Sequence, residues 1–138
     1  MEKYKETDFI IIDDDFINNI ICQKIIQSEL SQAKIVIFTN PQKGLAYIDA
    51  NYDNPVSNNV ILFLDINMPA LNGWDILEQL ADSREEVKKH LRIFLLSSSV
   101  TPEDKQKAAH DPIVAGYIEK PLTQDKLQVV LPGYLIPV

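Results

Sequence analysis

Five short, uninterrupted apolar runs constrain the fold of this chain more than any other feature. They are Phe9–Ile12, Ile35–Phe38, Val60–Leu64, Ile93–Leu96 and Ile113–Ile118. Runs of this length without polar alternation, rich in Ile, Val and Phe, suit strands covered on both faces. The segments between them are long enough for helices, and several carry start signals. Asn40-Pro41 supplies an N-cap followed by proline at the first helical position, and Thr101-Pro102 repeats the device. Thr123 can cap the last helix and Asp15 the first. Ile17, Ile20, Ile21 and Ile25 recur at helical spacing and predict one apolar stripe on the first helix. Residues Asn51 to Asn59 read as a loop, and the charged stretch Leu80 to His90 as a solvated helix end and turn. Strand–helix repeated five times predicts an α/β fold with a parallel sheet, five helices spread over both faces, and right-handed crossovers.

A chain of 138 residues is expected to form one domain over residues 1–138, with a core at about residues 8–131. Pro132-Gly133 stops the last helix, and the apolar tail of residues 132–138 is expected to pack back on the domain, with association through it as the alternative. The net charge of −7 disfavours nucleic acid and anionic membranes as partners. Cys22 is the only cysteine, so no internal disulfide can form, and its apolar neighbours mark it as a small core residue. The polar start, Met1 to Glu6, has no secretory apolar region, and no run approaches the roughly 20 residues of a membrane span. A cytoplasmic location is the expectation.

In an open α/β sheet, ligands bind beyond the carboxyl ends of the strands. The first run is followed by Asp13, Asp14 and Asp15, the third by Asp65, the fourth by Ser97, and the fifth by Glu119 and Lys120. Carboxylates about 4 Å apart repel by roughly 4 kcal/mol at an effective dielectric near 20, so a converging set needs a proton or a cation. A hard divalent cation such as Mg²⁺, which takes oxygen ligands and keeps several waters, suits a site that also receives phosphate oxygens. On this reading Asp13 and Asp14 hold the metal, and Asp65 both ligates it and attacks phosphorus. The backbone carbonyl of Asn67 offers a further oxygen; Lys120 can pair with Asp65, and Ser97 can donate a hydroxyl hydrogen bond to a phosphoryl oxygen. Each residue alone has a plainer explanation, as a helix cap, a turn residue or a solvated strand end. Their joint placement at four strand ends does not.

These residues resemble the receiver domain of two-component response regulators, of the single-domain, chemotaxis-regulator-like kind. The matching segments are Ile10 to Asp15, Leu64 to Pro69 with Gly73 after it, Leu96-Ser97-Ser98, and Gly116 to Pro121. The resemblance implies a flavodoxin-like, doubly wound five-stranded parallel sheet in the order 2-1-3-4-5. It implies Asp65 as phospho-acceptor, Asp13 and Asp14 as the acidic pair for Mg²⁺ (with Mn²⁺ able to substitute), and Lys120 as the partner lysine. Ser97 and Tyr117 take the hydroxyl and aromatic switch positions, and the bond from Lys120 to Pro121 is expected to be cis, aiming Lys120 inward. The implied partners are a sensor histidine kinase or histidine phosphotransfer protein upstream and a protein effector downstream. Enzymatic turnover is not expected beyond self-phosphorylation from small donors and slow self-dephosphorylation. Two alternatives remain open at this point. A degenerate receiver would bind partners without phosphate, and a haloacid-dehalogenase-like phosphatase would want a second aspartate where this chain has Asn67.

Overall fold

A computed structural model describes residues 7–68, 72–99 and 101–131. In chain order the elements are β1 (Thr7–Ile12), α1 (Phe16–Glu29), β2 (Ile35–Phe38), α2 (Pro41–Asn51), β3 (Asn59–Asp65), α3 (Gly73–Ala81), α4 (Glu85–His90), β4 (Leu91–Ser97), α5 (Pro102–His110), β5 (Val114–Glu119) and α6 (Gln124–Val130). The strands form one parallel sheet in the order β2-β1-β3-β4-β5. This is the flavodoxin-like order that the family resemblance implied. The apolar tail, residues 132–138, lies outside the described residues.

Alternate residues of each strand feed two separate cores. Ile10, Ile12, Leu62, Leu64, Ile93 and Leu95 point to one face, where Ile48 of α2, Ile76 and Leu80 of α3 and Ala108 of α5 cover them. Phe9, Ile11, Ile61, Phe63 and Leu96 point to the other, beneath Cys22 and Ile26 of α1 and Leu127 and Val130 of α6. The three central strands are therefore apolar on both faces, which is why their sequences do not alternate. Edge strand β2 is only half-buried along its length. The expected caps form: Asp15, Asn40, Thr101 and Thr123 each accept backbone N–H bonds from the first turn of their helices.

Two expectations require correction. The predicted stripe on α1 is not its buried face: Ile17 is 64% exposed, and Ile20, Ile21 and Ile25 are half-buried. The buried residues are Asn18, Asn19, Cys22 and Ile26. Both asparagines reach back to Asp13, and those hydrogen bonds fix the roll of the helix so that Cys22 and Ile26 face the sheet. The stretch read as a helix end and turn contains a further short helix, α4, giving six helices among the described residues. Its acidic first turn (Glu85, Glu86) and basic last turn (Lys88, Lys89, His90) complement the helix dipole. Val87 and His90 anchor it, the latter through a 2.9 Å bond between Nε2 and the Asn54 carbonyl. Six residues are too few to display a period, so charge alone dominated the sequence pattern.

The start of α3 packs directly on the end of β3. A Cβ on Gly73 would lie 2.6 Å from Ile66 Cα and 2.7 Å from the Asp65 carbonyl oxygen. Both obstacles are backbone, so they cannot swing aside. Gly73→Ala is therefore expected to destabilise the domain by roughly 1–3 kcal/mol, the usual cost of forced overpacking. Urea denaturation checks this; an unchanged midpoint would mean that α3 has freedom to move off Asp65.

Candidate functional site

The carboxyl ends of β1, β3, β4 and β5 bring the predicted residues together. The sheet ladder continues past its formal ends: Asp13 N–H bonds to Phe38 O, Ile66 N–H to Leu96 O, and Lys120 N–H to Ser97 O. These bonds keep the post-strand residues in register, so their side chains converge instead of fraying outward. Asp13 and Asp65 are buried and Asp14 is exposed. One carboxylate oxygen from each of the three lies within 4.8 Å of the others.

Lys120 Nζ reaches into this cluster, 2.9 Å from Asp13 Oδ2 and 3.4 Å from Asp65 Oδ2. The sequence suggested a pair with Asp65; the closer partner is Asp13. The Lys120–Pro121 peptide bond is cis, as the resemblance implied. Asn67 contributes two donors: its N–H bonds to Asp65 Oδ1 at 3.0 Å, and its side-chain amide donates to Ser97 Oγ at 3.0 Å. Ser97 Oγ in turn donates to the Ser99 carbonyl at 2.7 Å and accepts from Ser99 N–H at 3.1 Å. Tyr117 packs with the core on the α3 and α5 side, and its buried hydroxyl has no hydrogen-bond partner among the described residues.

Two residues of the site escaped sequence reasoning. Asn18 Nδ2 donates to Asp13 Oδ2 at 2.8 Å, and Asn19 Nδ2 donates to the Asp13 carbonyl at 2.9 Å. The available signal was a pair of asparagines inside an isoleucine-rich helix, where their propensity is poor. Cys22, next to Asn18, behaves as the expected core residue, and burial pushes its thiol up to about 12.

The electrostatics follow from crowding. Burial, with the Asp13 charge adding to it, raises Asp65 from 3.8 to about 6; the Asn67 N–H bond works in the opposite direction. Burial alone would lower Lys120, but its bond to Asp13 and the charges of Asp13 and Asp65 outweigh it and raise the ammonium. Burial also raises the Tyr117 phenol, opposed by the neighbouring Ser97 hydroxyl. Three carboxylates face one ammonium, so the ionised cluster carries two uncompensated negative charges. An all-oxygen donor set with that deficit fits a hard divalent cation such as Mg²⁺.

Residues 9–131 match the family model described as the response regulator receiver domain. A two-component response regulator from Cytophaga hutchinsonii is 30% identical with a TM-score of 0.85, over 95% of this chain and 98% of that one. A response regulator receiver protein from Dyadobacter fermentans is 25% identical with a TM-score of 0.81, over 93% and 97%. The curated Sensory/regulatory protein RpfC of Xanthomonas campestris pv. campestris is 25% identical over 119 residues. That alignment takes in 86% of this chain and 15% of RpfC, so the chain spans a small part of that relative's length.

The raised Asp65 makes stability depend on pH in a defined direction. With its folded value (about 6) above the ordinary 3.8, Asp65 takes up its proton more readily in the folded state. Its favourable contribution is complete below about 3.8 and is lost as pH rises through about 6. Asp65→Asn mimics the neutral form and should stabilise the metal-free protein above pH 6 by on the order of 1–3 kcal/mol. The gain should shrink as pH falls toward 4 (roughly the unperturbed carboxyl range). Thermal melts of both proteins across this range provide the check, and a mutant less stable at neutral pH would contradict it.

Proposed function

The chain belongs to the response regulator receiver family, and from that premise we propose that it accepts a phosphoryl group on Asp65 from a histidine kinase or histidine phosphotransfer protein and relays the change to a protein effector. The observation that carries this reading is the seating of Lys120 Nζ between Asp13 and Asp65. That ammonium is already within reach of the oxygen to be phosphorylated. It acts as a signalling domain, not as a turnover enzyme. The presence of Asn67 two residues after Asp65 argues further against phosphatase chemistry, which would want an acid there.

Asp65 attacks phosphorus through its carboxylate while the donor's phosphorus–nitrogen bond breaks, and the departing imidazole nitrogen keeps the electron pair and takes up a proton. The chain supplies mainly positioning and charge. Asn67 N–H holds Asp65 Oδ1, which leaves Oδ2, the atom facing Lys120, as the attacking oxygen. Asp13, Asp14 and Asp65, with the Asn67 carbonyl, would hold Mg²⁺ or Mn²⁺, which neutralises charge on the phosphoryl oxygens when bound. Lys120 follows the new charge from the carboxylates to the phosphoryl group. Ser97 then turns its hydroxyl proton to a phosphoryl oxygen, and Tyr117, packed behind it, adjusts to the change.

A phosphodonor protein must approach over this end of the sheet. Phe16 (67% exposed) and Ile17 (64% exposed) stand there on the first turn of α1, directly after the acidic run. We assign them to the docking surface for that donor, since large apolar side chains at a site rim are natural anchors for a partner. No helix among the described residues is long and apolar enough to cross a membrane. The proposal places the domain in the cytoplasm with its donor and effector.

Intact-mass measurement after incubation with acetyl phosphate and Mg²⁺ should show one added phosphoryl group in the native protein and none in Asp65→Asn. Modification of another residue would overturn the assignment, and complete inertness would favour a degenerate receiver. Phe16→Asp combined with Ile17→Asp should slow transfer from a phosphotransfer protein by roughly tenfold or more, relative to uptake from acetyl phosphate. Equal effects on both donors would remove the docking role.

A further inference from the structure

Asp13 is held by more donors than its metal-binding role requires. Its Oδ1 accepts Asp15 N–H at 2.8 Å, while Oδ2 accepts both Lys120 Nζ at 2.9 Å and Asn18 Nδ2 at 2.8 Å. We propose that Asn18 is a positioning residue whose amide keeps the Asp13 carboxylate in its metal-binding orientation when Lys120 is drawn away to the phosphoryl group on Asp65. The inference rests on the function proposed above and adds to it a residue that acts through Asp13, touching neither metal nor phosphate.

The reason lies in the sharing of a single ammonium. Lys120 now serves two carboxylates, Asp13 at 2.9 Å and Asp65 at 3.4 Å. A phosphoryl group adds about 1.5–2 negative charges at neutral pH and competes for the same cation. Once Lys120 shifts, Asp13 Oδ2 depends on Asn18, because its other oxygen alone is tied to Asp15. Asp13 is 0% exposed, so an abandoned oxygen has no water to replace the lost donor. The carboxylate would then rotate after Lys120 and leave the metal.

The residue type also fits this duty. A neutral amide grips a carboxylate without repelling a divalent cation and without following the phosphoryl charge. A lysine or arginine at position 18 would do both. Against this stands a local penalty: Asn18 is 4% exposed, faces Cys22 at 3.7 Å, and is a poor helix former. It also displaces the isoleucine stripe from the buried face of α1, a cost that packing alone does not explain. Asn19, bonded to the Asp13 carbonyl, fixes the backbone of the same residue and completes the hold.

The test is a double-mutant cycle on Mg²⁺ affinity, measured by calorimetry on the full chain. Asn18→Ala should weaken Mg²⁺ binding by roughly 10–100-fold, the usual loss when a ligand's supporting partner is removed. The loss should be larger in a Lys120→Ala background, where Asn18 is the remaining donor to Asp13 Oδ2. Asn18→Leu, which fills the amide's space against Cys22 and suits a helix, should behave alike and covers the case in which the alanine variant folds poorly. Unchanged affinity, or an equal loss in both backgrounds, overturns the inference while the proposed function stands, provided that Asp13→Asn still abolishes binding. A native protein with no saturable Mg²⁺ response, or an Asp13→Asn variant that binds as well as native, overturns both.

Discussion

The buried ion cluster of Asp13, Lys120 and Asp65 is the constraint to which the surrounding structure answers. Asp13 is 0% and Asp65 1% exposed, and Lys120 is largely covered. Charges removed from water cost several kcal/mol each unless partners return what hydration supplied. The partners here come from the few residues that follow each strand: Asp15 N–H and the Asn18 amide for Asp13, and Asn67 N–H for Asp65. The residues directly after β1 and β3 are thus placed by the carboxylates they satisfy. The start of α1 and its roll follow from the same demand.

The two ends of β1 show how far environment, and not residue type, decides what a buried aspartate can do. At its start, Asp8 is 5% exposed and is met by Tyr52 Oη at 2.7 Å and Asn58 Nδ2 at 3.2 Å. Those donors are neutral, they come from outside the strand, and no cluster of carboxylates forms around Asp8 among the described residues. Burial and the Asp8 contact raise the Tyr52 phenol, so the pair stays as it is. At its far end, Asp13 faces two more carboxylates and one shared lysine. The first arrangement is satisfied by neutral donors; the second leaves an excess of negative charge that a cation can relieve.

Strand identity was legible because a doubly covered parallel sheet writes itself as unbroken Ile, Val, Leu and Phe runs, and four helix starts were legible in their Asp, Asn and Thr caps. The site residues were legible for a related reason: a parallel sheet sends every strand end to one side, so Asp13, Asp65, Ser97 and Lys120 could be placed together without coordinates. The missing parts are those in which tertiary polar contacts overrule a local pattern. The isoleucines of α1 advertise a face, but Asn18 and Asn19 answer to Asp13, and a hydrogen bond to a buried carboxylate outweighs partial exposure of Ile17. The helix α4 hid in a charged stretch because Val87 is its one apolar anchor and His90 is held by a carbonyl from the loop before β3.

On the function proposed here, Ser97 is where added charge would become movement. A serine hydroxyl has one hydrogen to give. In this structure it goes to the Ser99 carbonyl, while the oxygen accepts from the Asn67 amide and Ser99 N–H. Donation to a phosphoryl oxygen on Asp65 therefore requires release of Ser99, and the loop after β4 loses the bond that now folds it back. Behind that loop stands Tyr117, whose buried hydroxyl lacks a partner among the described residues. The phenol neighbours the Ser97 hydroxyl, so a rearrangement at Ser97 would change the surroundings of the ring. On that function, charge would enter at Asp65, one proton would change acceptor at Ser97, and Tyr117, on β5 itself, would carry the change to the flanking helices.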